Sequence, residues 1–154
     1  MPRDPVERAP VDLAPLEKQL AYTVHMLDLA FYQRFYERFS VYDITPGAYS
    51  ALLAIRHNPG IRHGALADAL MIQRPNMTKL VATLTRSGWV RRGSARSDQR
   101  SVVLSLTAAG ERVLDRTAAE IAAHEDRIAD TLSQRERRTL MALLRKLRAG
   151  LQDD

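Results

Sequence analysis

The chain of 154 residues contains no cysteine, which excludes disulfides, thiolate metal sites and thiol redox sensing. Its four histidines, His25, His57, His63 and His124, are scattered without an H-x-x-x-H pair, so no metal site is expected. No run of about 18 apolar residues is present to cross a bilayer. The opening MPRDPVERAPVD has no apolar core of a secretion signal. A soluble cytoplasmic protein with no membrane partner is the expectation. There is no Ser/His/Asp set, glycine-rich phosphate loop or zinc-hydrolase motif, and carboxylate pairs such as Glu125 and Asp126 fall on a solvated helix face. Neither catalysis nor a cofactor is therefore expected.

What the chain does have is concentrated positive charge. The net charge is +5, but Arg74 to Arg100 holds Arg74, Lys79, Arg86, Arg91, Arg92, Arg96 and Arg100 against Asp98 alone, a local +6 in 27 residues. The remaining chain has 16 basic and 17 acidic residues. Such a patch is the footprint of a polyanion partner, for which nucleic acid is the commonest candidate, the alternative being a solvated arginine-rich loop with no partner. Within it, RSGWVRRGSARSDQRSVVLSLT (86–107) is too short and too polar to bury a core of its own.

Periodicity places the rest. Residues 1–12, with three prolines among charges, are read as an extended arm. Leu13, Leu16, Leu20, Val24, Leu27, Phe31 and Phe35 recur at spacings of three and four, so one long amphipathic helix is expected from Leu13 to about Phe39. A second helix opens at Thr45 as N-cap with Pro46 in its first turn, and closes at Asn58, Pro59 and Gly60. HGALADAL is a short helix with Leu66, Ala67 and Leu70 on one face. After the connection MIQ, RPNMTKLVATLTRSG is a helix with a stripe of Met77, Leu80, Val81 and Leu84, stopped by Gly88. WVRR and SVVLSL are two strands joined by a loop from Gly93 to Arg100, with Val102, Leu104 and Leu106 facing one way. A hairpin this small must be an appendage of the helices. The tail is helical, with Val113, Leu114, Ile121, Ile128 and Leu132 in one stripe. Ser133 and Glu136 then form a capping box for a last helix bearing Leu140, Met141, Leu143, Leu144 and Leu147. The apolar stripes of the terminal helices exceed what the small central module can cover. A second copy of the chain is the expected cover, the alternative being that the three helices pack only on each other.

The expected fold class is thus mostly α with a small β-wing: a module over 45–107 flanked by helical dimerisation regions at 13–39 and 108–151. This order resembles the multiple-antibiotic-resistance-regulator (MarR) family of winged helix-turn-helix regulators, over about Leu13 to Leu151. DQRSVVLSLT fits the family's wing pattern D-x-R-x-x-x-L-x-L-T at Asp98, Arg100, Leu104, Leu106 and Thr107. ITPGAYSALLAI is similar to its second helix, and LVATLTRSGWVRR to its helix, glycine and basic strand.

The resemblance implies a homodimer on a pseudo-palindromic double-stranded DNA site, with the second helix of the pair in the major groove and the wing in the minor groove. By position Arg100 corresponds to the groove-inserting wing arginine and Asp98 to the carboxylate that holds it. The alternative for Asp98 is a plain turn residue. The candidates on the recognition helix are Gln73, Arg74, Asn76, Thr78 and Lys79: amides suit adenine, Arg and Lys suit guanine, and Thr suits phosphate or a thymine methyl. By resemblance Lys79 occupies a position where relatives carry a DNA-contacting basic residue. Arg74 and Arg86 are assigned to phosphates, and Arg96 completes the wing set. Family members often release DNA when an aromatic acid or its thioester enters a crevice beside the dimerising helices. Tyr22, His25, Met26, Tyr32 and Tyr49, with Arg62 to hold a carboxylate, are the candidates here, against the alternative that they are ordinary core or interface residues. A repressor is the expected function. A winged-helix protein-interaction module and a nonspecific nucleic-acid binder stay open, although Trp89 is the only aromatic of the basic segment and its place at a strand start points to core.

Overall fold

The computed structural model describes residues 11–95 and 98–151, with side chains described up to residue 94 and again from residue 102. The chain falls into two units, Met1–Tyr49 and Ser50–Asp154. In the first, the Asp12 carboxylate accepts a hydrogen bond from the Ala14 N–H at 3.0 Å and starts a single helical turn, α1 (Ala14–Glu17). Gln19 is then extended (φ −92°, ψ 126°) before α2 (Leu20–Phe39). The one long helix expected from Leu13 is therefore broken at Lys18 and Gln19. The apolar spacing hid this, because it reports which residues share a face and one extended residue does not erase that pattern. The Phe35 and Phe39 rings lie 4.7 Å apart, with Phe39 fully buried. A 3-10 turn, Ser40–Tyr42, leads to Asp43 in the left-handed region (φ 53°).

α3 (Pro46–His57) begins as its sequence requires: the Ala48 N–H donates to Thr45 Oγ1 at 3.1 Å. At its end the Asn58 side-chain amide donates to the Ala54 carbonyl, and Gly60 turns the chain at φ +82°. Ala51, Leu52 and Ile55 put the buried face of α3 into the core of the second unit.

The second unit then runs through β1 (Ile61–Arg62), α4 (His63–Ala69), α5 (Arg74–Arg86), β2 (Val90–Ala95), β3 (Asp98–Leu106), α6 (Ala108–Ile128) and α7 (Gln134–Gly150). The sheet has three antiparallel strands in the order β1-β3-β2, so the expected two-stranded wing gains a third strand at its root. β1 went unseen because it is two residues long, below any readable alternation, and exists only through pairing Ile61 with Leu104 and Arg62 with Val103. The wing strands are also longer than expected: pairing continues to Ala95 and resumes at Asp98, with a register shift between Ser94 and Ala95, where a loop from Gly93 to Arg100 was expected. Alternation on β3 grades with distance from the core. Leu104 is buried, Leu106 partly buried and Val102 43% exposed. Trp89 is partly buried while Val90 beside it is buried, so the core position at this strand start belongs to the valine.

α6 carries Val113, Leu114 and Ile121 into the core and ends in a 3-10 turn, Ala129–Thr131. The capping box then opens α7 as expected: the Glu136 N–H donates to Ser133 Oγ, and the Ser133 N–H donates to Glu136 Oε2 at 2.8 Å. Arg56 of α3 reaches Asp115 of α6 at 2.8 Å, and Arg137 of α7 reaches Asp126 of α6 at 2.7 Å.

Candidate nucleic-acid interface

α4 and α5 are joined by Leu70 to Gln73, with Met71 left-handed (φ 53°) and the Ile72 N–H donating back to the Ala67 carbonyl. That turn sets the direction of α5. Met77, Val81 and Leu84 recur at helical spacing and are all buried, at 1% exposure or less. At about 100° per residue the face opposite this stripe is centred on Pro75, Lys79, Ala82 and Arg86, with Thr78 on one flank and Asn76 and Thr83 on the other. All of these are exposed, as are Gln73 and Arg74. Burial of the stripe thus fixes which side chains look outward, and five of the nominated residues (Gln73, Arg74, Asn76, Thr78 and Lys79) lie together on the first two turns.

Their chemistry is not uniform. The Thr78 hydroxyl donates to the Arg74 carbonyl at 2.9 Å. Its single proton is committed there, so it presents a methyl and acceptor lone pairs outward rather than a donor. Arg86, in the last turn, makes only a long 3.5 Å contact to Thr83 Oγ1 among the described residues. Among the described residues, none of Arg74, Lys79, Arg86, Arg91 and Arg92 is in an ion pair.

The wing springs directly from the end of α5. Gly88 is left-handed (φ 73°), its N–H donates to the Thr85 carbonyl, and the Trp89 N–H donates to the Leu84 carbonyl, the paired bonds of a Schellman ending. Arg91 and Arg92 follow on β2, both exposed. They were counted in the basic segment but given no role of their own. Arg96 lies outside the described residues, as do the side chains of Asp98 and Arg100, whose backbones belong to β3.

Where β3 ends, Thr107 ties three elements together. Its N–H donates to the Trp89 carbonyl at 3.0 Å, its hydroxyl donates to the Gly88 carbonyl at 2.5 Å, and its Oγ1 accepts from the Gly110 N–H at 3.1 Å as N-cap of α6. Gly110 is buried, and a Cβ there would collide with the Trp89 carbonyl. Sequence reasoning missed Gly110, although a glycine inside a helical pattern signals a close backbone approach.

The nominated effector residues are divided between the two units. Tyr22 and Tyr49 are half-buried, and His25, Met26 and Tyr32 are exposed on α2, all in the first unit. Arg62 is an exposed residue of β1 in the second. Among the described residues, no group of three or more His, Asp or Glu could hold a metal ion, and no helix is long and apolar enough to cross a membrane.

A helix pair whose second member turns a polar, basic face outward, followed at once by a basic antiparallel hairpin, defines a winged helix-turn-helix module. The family model described as MarR family matches residues 42–101. A Thauera aromatica protein named as a transcriptional regulatory protein for the hcr operon is 34% identical over 104 residues; the match covers 68% of this chain and 63% of that relative's length. Transcriptional regulator HosA of Escherichia coli O127:H6 is 30% identical over 105 residues, covering 68% of this chain and 78% of HosA. Among solved structures, the transcriptional repressor CouR bound to a 23-mer DNA duplex superposes with a TM-score of 0.84 at 29% identity, over 90% of this chain and 99% of that one. A mutant MarR from E. coli complexed with operator DNA gives a TM-score of 0.81 at 25% identity, over 89% and 99%. The chain belongs to the MarR family.

Proposed function

We propose that this protein is a transcriptional regulator, a repressor, that binds a pseudo-palindromic duplex site as a homodimer and carries no enzymatic activity. The observation that carries the reading is the exposed start and outward face of α5, where burial of Met77, Val81 and Leu84 turns Asn76, Thr78 and Lys79 away from the core, with Gln73 and Arg74 exposed at the helix start and neither Arg74 nor Lys79 in an ion pair among the described residues. In this reading α5 enters the major groove, where Gln73, Asn76 and Lys79 reach base edges and Thr78 meets a thymine methyl. Arg74 and Arg86 bind phosphates. The wing, with Arg96 and Arg100 and with Asp98 holding Arg100, follows the minor groove. The likeness to CouR and to MarR, both solved on DNA, supports this docking.

A homodimer is supported by the apolar faces left open on the terminal helices of each unit. In α2, Leu20 is 62% exposed and Phe31 49%; in α7, Leu143 is 59% and Leu144 42%. Stripes of this length call for a partner with the same pattern, and a second copy has it. An effector, an aromatic acid or its thioester held by Tyr22, His25, Met26, Tyr32, Tyr49 and Arg62, completes the proposal. It rests on residue chemistry and on the family resemblance.

A gel-shift titration tests the core of the reading, using the duplex immediately upstream of the chain's own gene against a scrambled duplex. Specific regulation predicts an affinity for the former higher by a factor of about 10³ or more. Equal affinities would turn the assignment toward a nonspecific binder, and no shift with either duplex toward a protein-interaction module. For the effector, Arg62→Ala should leave DNA affinity intact and weaken release by aromatic acids. A screen in which no aromatic acid or thioester stabilises the protein or displaces DNA would remove that part.

A further inference from the structure

The proposed contacts fall on two elements, α5 and the wing, and a groove reader works only if the distance between them is fixed. α5 ends at Arg86 and β2 begins at Val90, so three residues separate them, with left-handed Gly88 in the middle. Such a joint would swing if nothing held it. Thr107 holds it from the other end of the hairpin. Its hydroxyl reaches the Gly88 carbonyl and its N–H reaches the Trp89 carbonyl, while Val90 pairs with Leu106 just beyond. The same oxygen caps α6, and α6 packs directly on the joint, because Gly110 lies against the Trp89 backbone with no room even for a methyl group.

We propose that Thr107 is a positioning residue for DNA reading: its hydroxyl bond to the Gly88 carbonyl sets the wing at a fixed angle to α5, so that major-groove and minor-groove contacts are made together. The inference rests on the DNA-binding function proposed above and names a residue that touches no DNA. Preorganisation of this kind raises specific affinity by lowering the ordering cost of binding. It does little for nonspecific binding, which depends on summed charge. The two roles of the hydroxyl can be separated. Thr107→Asp keeps an N-cap acceptor for Gly110 but has no proton for Gly88 at neutral pH. Thr107→Ser keeps both.

The test compares wild type, Thr107→Val, Thr107→Asp and Thr107→Ser on the upstream duplex and a scrambled duplex. Hydroxyl-radical footprints are taken at a temperature where far-UV circular dichroism matches wild type. The expected result for Val and Asp is an operator-to-scrambled affinity ratio lower by about tenfold, the order of one net hydrogen bond. Their protection at the minor-groove flanks should be lost while the central protection remains, and Ser should restore both. Because the ratio cancels the charge that Asp adds, and Asp retains the α6 cap, loss of folding in the Val variant leaves the Asp variant decisive. The inference is overturned if Asp keeps the wild-type ratio and flanking protection, or if flanks and centre fade together. Equal wild-type affinity for the two duplexes would instead overturn the proposal of a specific regulator, and this inference with it.

Discussion

Single residues carry two of the sharpest consequences. Gly88 sits at φ +73° with nothing within 4 Å of where a Cβ would stand, so Gly88→Ala meets a purely conformational cost. A left-handed alanine costs about 1–2 kcal/mol, and a thermal melt should show a loss of that size with the fold retained. The second concerns the wing, where Asp98 pairs with Ala95 across the hairpin. Arg100→Ala removes one cation from each half of a dimer, so the plot of log affinity against log salt should become shallower by roughly 1–2 units. Asp98→Ala adds positive charge, and electrostatics alone predicts tighter binding. If Asp98 instead orients Arg100, operator affinity falls by about 1–2 kcal/mol per half-site, as for a lost charge-assisted hydrogen bond. Tighter operator binding by Asp98→Ala together with an unchanged Arg100→Ala would contradict the wing assignment.

At the scale of elements, legibility followed how local the determinant is. The α5 stripe, the Thr45 cap and the Ser133–Glu136 box are set by neighbours within four residues, and each was readable. β1 depends on pairing across more than forty residues, as in Ile61 with Leu104, and the length of the wing depends on pairing between its own two strands through the register shift at Ser94 and Ala95; no local pattern announces either. The break at Gln19 was hidden because the apolar stripe runs through it. Charge counting located the basic segment but passed over α7, which carries Arg135, Arg137, Arg138, Arg145, Lys146 and Arg148 against Glu136 alone. Its net +5 was masked in the sum by acidic residues spread over the rest of the chain, among them Asp130, Asp153 and Asp154. The capping box also gives α7 a pH dependence. The hydroxyl of Ser133, and then its N–H, hold the Glu136 carboxyl below its usual 4.5. A lowered carboxylate pKa adds stability that is present above the ordinary carboxylate range and lost as pH falls through the folded value. Glu136→Gln should therefore melt below wild type at pH 7, with the gap closing below about pH 4. A gap independent of pH would mean that the carboxylate is not what stabilises the cap.

For the whole molecule, assembly and DNA reading stand or fall together. The exposed apolar faces of α2 and α7 predict a species of about twice the 17.4 kDa chain mass by light scattering at micromolar concentration. A monomer at high concentration would leave those faces unexplained. Two copies related by a twofold axis must present two α5 faces to one duplex, so symmetry in the protein becomes symmetry in the site. Selection of binding sites from a randomised duplex library asks this without knowing the operator in advance. The account predicts an enriched inverted repeat with half-sites one helical turn apart, about 10 base pairs centre to centre, and loss of preference within each half-site for Asn76→Ala or Lys79→Ala. A library that emerges with no enriched sequence, or with an enrichment that both variants leave unchanged, would contradict the claim that the outward face of α5 reads DNA.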